Sequence, residues 1–232
     1  MRKLSFTLLI LFAFSANITA QVEFRATNIY WTPDRQIQFS DYQAPINDAC
    51  IEIYERLGLH TVAEIQLAGI VDIPRRWRGR NAGKIDRGYI VPVFCRVCSC
   101  IFSKDSLSLQ VDHLVFDVAE LYARRIRREL STIQRERNIR NPNSMFFTTV
   151  RNQNTEEMRG VFRQIFRDVL IDKTENAYEE WRELIDELLE DTIEFATTDE
   201  IRRRFIIGKP IEGYIEARTI VGDLRPRENT SE

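Results

Sequence analysis

Residues 105–124 read Asp-Ser-Leu-Ser-Leu-Gln-Val-Asp-His-Leu-Val-Phe-Asp-Val-Ala-Glu-Leu-Tyr-Ala-Arg. Leu107, Val111, Leu114, Val115, Val118, Leu121 and Tyr122 recur at three- and four-residue intervals, which paints one buried stripe on an α-helix. This run marks a change of pattern. Before it, Val22 to Tyr30, Gln36 to Phe39, Val62 to Ile73 and Tyr89 to Phe102 are rich in β-branched and aromatic residues, and turn signals such as Thr32-Pro33-Asp34 and Ala44-Pro45 separate them. After it the helical spacing continues. A second helix is expected over about 155–170, with Met158, Val161, Phe162, Ile165, Phe166 and Val169 inward. A third is expected from near Thr174, burying Ala177, Trp181, Leu184, Ile185, Leu188 and Ile193. The polar stretch 138–154, with Asn141-Pro142-Asn143, reads as a linker, residues 205–224 as a late strand or hairpin, and 225–232 as a flexible tail. Strands first and helices afterwards give an α+β fold: an N-terminal antiparallel sheet followed by packed helices, in one domain over 21–224.

The first twenty residues have three parts. Arg2 and Lys3 are cationic, Leu4 to Phe14 is almost wholly apolar, and small residues lead to Ala20. This is the pattern of a Sec-type signal peptide cleaved after Ala20, and it predicts a periplasmic or secreted protein. The apolar run is shorter than the ~20 residues of a membrane span, so no transmembrane segment is expected after cleavage. Loss of Arg2 and Lys3 leaves 31 basic against 35 acidic residues, a net charge of −4. Such a balance argues against a nucleic-acid partner, whose recognition surface would be strongly basic. The one concentrated basic stretch, Arg75 to Arg87, carries Arg75, Arg76, Arg78, Arg80, Lys84 and Arg87 around Trp77. It reads as a solvated loop between strands, or as a binding loop for an anionic partner or membrane headgroups.

Cys50, Cys95, Cys98 and Cys100 all lie in the exported part. In an oxidising compartment they are disulfide candidates with three possible pairings. Cys95-x-x-Cys98-x-Cys100 also fits metal-ligand spacing, and with Cys50 it would make a four-thiolate zinc site. A redox motif usually sits at a helix start, whereas this one lies in a stretch read as strand. If 89–102 is one straight strand, Cys98 and Cys100 share a face and Cys95 points the other way. Neighbouring pairs are then poorly placed to bond each other, and Cys50 is the natural partner for one of the three.

Residues 111–124 carry a resemblance. Phe116, Asp117, Val118, Glu120, Leu121, Tyr122, Ala123 and Arg124 match the signature helix of the domain-of-unknown-function 922 family, bacterial exported proteins predicted to be zinc-dependent proteases. Tyr30-Trp31-Thr32-Pro33 with Phe39-Ser40-Asp41-Tyr42, and Asp172, Thr174 and Trp181, resemble two further stretches of that family more loosely. The resemblance implies a zincin-like peptidase fold. In the family this helix begins His-Glu-x-x-His, and here Val111, Asp112 and Val115 stand at those three positions. Two histidines one helical turn apart are needed to place both imidazoles on one face of a tetrahedral zinc. Valine has no lone pair, and Asp112 is one methylene shorter than the glutamate that would polarise a zinc-bound water. Glu175 and Asn176 occupy the region of the family's late histidine. No catalytic residue, metal or cofactor is therefore expected, and the resemblance implies a pseudoenzyme acting as a binding or scaffold module for a protein or peptide partner in the cell envelope.

A different reading keeps an enzyme. His113, Asp117 and Glu120 lie at i, i+4 and i+7 on one helix face and would form a relocated zinc site of a metallopeptidase or hydrolase. The competing expectation is a polar helix face, with Asp117 and Glu120 oriented toward Arg124 and Arg125. His60, the only other histidine, reads as a turn or edge residue.

Overall fold

The computed structural model describes residues 27–75, 83–137, 139 and 141–217. The expected signal peptide, the start of the first strand, Arg76, Trp77, Arg78 and Arg80 of the basic loop, residues 218–224 of the late hairpin and the 225–232 tail lie outside them. The fold is α+β. Four antiparallel strands form the sheet: β1 (Asn28–Tyr30), β3 (Ile65–Pro74), β4 (Arg87–Cys95) and β6 (Tyr214–Glu216), in the order β1-β4-β3-β6. A two-stranded ribbon pairs β2 (Thr61–Val62) with β5 (Cys100–Ile101). In the β3–β4 register Leu67 opposes Pro92. Proline has no N–H for the ladder, so the pair sits where none is needed. The Pro92 carbonyl turns instead to the other side and accepts from the Trp31 N–H at 3.1 Å.

Both faces of the sheet are covered, which explains why β4 reads as a continuous apolar run rather than an alternating one. Ile65, Leu67, Val71, Ile90 and Phe94 face the main core. Tyr30, Tyr89, Val91, Val93, Ala68 and Ile70 face the opposite way and pack on Phe205 and Ile201. The main core is closed by α2 (Ser106–Arg137), with α3 (Pro142–Ile165) and α4 (Ala177–Asp191) against it; α5 (Asp199–Ile207) covers the other face. At 1.5 Å per residue the 32 residues of α2 span about 48 Å. Asp105 starts it, its Oδ2 accepting from the Ser108 N–H at 2.7 Å. α5 is fastened to the sheet by a buried bidentate pair, Arg204 on Asp72 at 2.8 Å twice, with Glu216 of β6 on the same guanidinium.

Several expectations are corrected. Residues 21–102 are not all strand and turn: α1 (Asp48–Leu57) lies among them, capped by Asn47, whose side chain accepts from the Cys50 N–H, and closed by Gly58 at φ +68°. Gln36 to Phe39 is no strand but leads into a 3-10 turn over Phe39–Asp41. The stretch expected to be a linker is mostly helical, because α3 begins at Pro142. Proline is well suited to a first helical position. The cap comes from far away in sequence: buried Asp86 accepts from the Asn143 and Ser144 N–H groups, the Asn143 amide and the Ser144 hydroxyl. α3 then continues into a π-helical turn over Phe166–Ile171. Residues 205–207 belong to α5, and the described part of the late strand is Tyr214–Glu216. Leu184 and Ile193, expected inward, are exposed.

The cysteine geometry also differs. Residues 89–102 are not one straight strand: a 3-10 turn over Arg96–Cys98 separates β4 from β5. That turn folds Cys98 back onto Cys95, and the two are bonded. Cys50 of α1 bonds Cys100. Among the described residues no helix is long and apolar enough to cross a membrane.

Candidate functional site

The informative turn of α2 is buried. Val111 and Val115 are 0% and 1% exposed and belong to the main core. Burying a valine side chain contributes roughly 1.5–3 kcal/mol, so both positions hold the fold together. Asp112 between them is also fully buried. Its Oδ2 accepts from the Tyr42 hydroxyl at 2.5 Å, and among the described residues its Oδ1 has no hydrogen-bond partner. Burial pushes the Asp112 carboxyl up to about 6, opposed by the hydroxyls of Thr61 and Tyr42. Tyr42 is itself pushed well above the ordinary phenol range, first by burial and then by the Asp112 charge. Asp112 is thus closed off from solvent.

The three polar residues of the alternative metal set each meet different partners. His113 Nε2 lies 2.5 Å from the Ile37 carbonyl, so that nitrogen carries the proton and donates. Asp117 accepts from Trp31 Nε1 and from Arg182, both at 2.7 Å. Glu120 is fully buried and accepts from Arg124 Nε, Arg127 Nη2, the Thr197 N–H and the Thr197 hydroxyl. Arg127 further donates to the Phe195 carbonyl. Glu120 thus joins α2 to the segment before α5. Of the expected pairs on the polar face, Glu120–Arg124 is present; Asp117 pairs with Arg182 of α4, while Arg125 pairs with Glu157 of α3. Among the described residues no group of three or more His, Cys, Asp and Glu side chains is placed to hold a metal ion. His60 bonds the Ser103 hydroxyl through Nδ1 and packs edge-on against Tyr54, an exposed turn contact.

The stretches that carry the family resemblance meet around the middle of α2. Trp31 reaches Asp117 and Tyr42 reaches Asp112. Trp181, in α4, donates instead to Asp168 of the π turn, while its neighbour Arg182 completes the Asp117 cluster. Nothing in the spacing of Tyr42, Thr61 or Arg182 identified them as partners of the helix. Only the fold brings them there.

Beside the buried turn two adjoining cavities open along one edge of the sheet. One, of about 280 Å³, is lined by Ala63, Ile65, Val115, Met158, Phe162 and Phe166. The other, of about 370 Å³, is lined by Gln66, Leu67, Arg151, Asn152, Thr155 and Arg159. Val115 thus forms part of the wall of the first. On this side β3 pairs with β6 only over Asp72–Pro74, and the Ala217 N–H donates to Val71 O just beyond. Glu64 O accepts from the Cys95 N–H and so faces β4, which turns the backbone groups of Ile65, Leu67 and Gly69 to the other side. Among the described residues no strand pairs with them there.

Of the basic loop, Arg75 donates its backbone N–H to the Gly213 carbonyl, and Lys84 and Arg87 lie over the Tyr214 ring at 5.5 and 5.4 Å. Arg87 also pairs with Glu200. The described ends of this stretch therefore fasten β6 and α5 to the sheet. Comparison with family models, curated proteins and solved structures finds no match for this chain.

Proposed function

We propose that this is an exported, non-catalytic binding module of the cell envelope, a relative of zinc-dependent peptidases whose metal cleft has become core. The reading rests on one observation: the positions where the family-like helix would carry two histidines hold valines that are buried and packed. Two disulfides fit an oxidising compartment. Beside them, among the described residues, lie the unpaired β3 edge and its groove. An extended peptide would add as a strand, its backbone bonding Ile65, Leu67 and Gly69, with one apolar side chain in the cavity beside Val115 and Phe162.

The test is hydrogen exchange of the exported chain with and without an apolar-rich peptide pool, resolved by residue. The expected result is slowed exchange at the Ile65, Leu67 and Gly69 amides. Thr155→Arg, which fills the wall common to both cavities, should weaken binding by at least about tenfold without unfolding the protein. Protection confined to other surfaces, or none at all, would overturn the assignment of the edge.

A further inference from the structure

Cys95–Cys98 closes the short loop around the 3-10 turn at Arg96–Cys98. The loop is held from both sides by other bonds. The Cys95 N–H donates to Glu64 O at 2.9 Å. The Ser99 hydroxyl donates to Cys95 O at 2.6 Å and accepts from the Glu64 N–H at 2.9 Å. The Gln43 and Ala44 N–H groups donate to Arg96 O and Ser99 O, at 2.9 and 3.0 Å. Arg96 is paired with buried Asp41 at 3.3 Å. A cross-link stabilises a protein chiefly by restricting the unfolded chain, and the restriction grows with the loop closed. Cys95–Cys98 spans a separation of 3, against 50 for Cys50–Cys100, so it contributes the lesser part.

Its exposure is one-sided. Cys98 is exposed whereas Cys95 is 6% exposed, and Cys100 of the neighbouring bridge is 1% exposed. An incoming thiolate therefore reaches one of the four sulfurs in preference to the others. Between the paired cysteines stands Val97, an exposed apolar side chain, and Ile46, also exposed, follows the 43–44 segment bonded to the same loop. Exposed apolar groups beside an accessible disulfide offer an extended or unfolded chain somewhere to rest.

From this we infer that Cys95–Cys98 is a thiol–disulfide exchange site whose substrate class is protein dithiols. A partner thiolate attacks Cys98 Sγ; the partner S–Sγ bond forms as the Cys95–Cys98 bond breaks, and the electron pair leaves on Cys95 Sγ. The partner's second thiolate then attacks its own sulfur in the mixed disulfide and releases Cys98 as thiolate. The partner is oxidised to a disulfide, and two electrons and two protons end on Cys95 and Cys98. Because the loop is held by its backbone bonds, the two thiols stay adjacent and the exchange is reversible.

The test is a dithiothreitol titration of the folded full chain, with alkylation and peptide mapping at each point and near-ultraviolet circular dichroism alongside. Cys95–Cys98 should open at a dithiothreitol concentration at least about tenfold below that for Cys50–Cys100, with the dichroism unchanged. Cys95→Ser, which leaves Cys98 free, should form a one-to-one mixed disulfide with oxidised glutathione. Opening of both bridges together, or opening of Cys95–Cys98 only as the dichroism is lost, would overturn the inference. So would a folded Cys95→Ser variant that forms no adduct. A double Cys95→Ser, Cys98→Ser variant with an unchanged melting temperature would support it, and a strong drop would assign the bridge a structural role.

Discussion

Asp112 is an ionisable group in the main core, with the Tyr42 hydroxyl 2.5 Å from one oxygen and, among the described residues, no hydrogen-bond partner on the other. Its carboxyl ionises near 3.8 in an unfolded chain and near 6 in the fold. The raised folded value means that this group favours the fold fully below about pH 4, and that this contribution is lost as pH rises through about 6. The difference corresponds to stability on the order of 3 kcal/mol. Asp112→Asn should therefore flatten the pH dependence of chemical denaturation between pH 4 and 7 relative to the parent, and should raise stability at pH 7.5. Parallel curves for the two proteins would show that Asp112 does not titrate in this way. Glu120, by contrast, is fully partnered by Arg124, Arg127 and Thr197. Removing it in Glu120→Ala leaves Arg124 and Arg127 buried without their counter-charge, at an expected cost of about 3–5 kcal/mol in urea unfolding. A cost below about 1 kcal/mol would mean that the network relaxes onto water.

At the scale of elements, α3 shows best how far the sequence could be read. Its second half carried the helical stripe, and Met158, Ile165 and Val169 are buried as that stripe requires. Its first half did not, because the cap is supplied across the fold by Asp86 and the approach to the sheet is made possible by glycines. A Cβ on Gly88 would stand 2.2 Å from the Asn143 amide oxygen, and one on Gly69 would stand 2.6 Å from the Phe147 ring. Asp86→Ala should destabilise the protein by about 1–2 kcal/mol or more, since four donors lose their acceptor. Gly88→Ala should be worse than an ordinary strand substitution, because buried Asn143 sits between the added methyl and the helix start. A thermal melt within 1–2 °C of the parent for both variants would contradict the long-range cap. The same logic explains the cysteines. A two-residue period places Cys95 away from Cys98 only if the strand is straight, and the 3-10 turn at Arg96–Cys98 is held by bonds to Gln43 and Glu64, which a local pattern does not contain. The α2 stripe was legible because it is local; Leu107, at the start of that stripe, is exposed because the neighbouring elements do not reach it.

Across the whole molecule, an antiparallel sheet lies between α5 on one face and α2, α3 and α4 on the other. The long helix turns Val111, Asp112 and Val115 to the core. Its polar residues act as fasteners: Asp117 to Trp31 and Arg182, and Glu120 to Thr197. In a zinc enzyme these elements would be arranged round a metal, whose binding free energy would add to that of folding. On the reading proposed above, valine burial and internal ion pairs take that role, and metal content alone tests it. Residues 21–232 are expressed into an oxidising compartment and purified without chelators, and the metal content is measured by mass spectrometry. Less than about a tenth of an equivalent of zinc or any other transition metal is expected, with a melting temperature unchanged by chelator. Close to one equivalent, retained through dialysis and lost in Asp117→Ala or a cysteine variant, would contradict it.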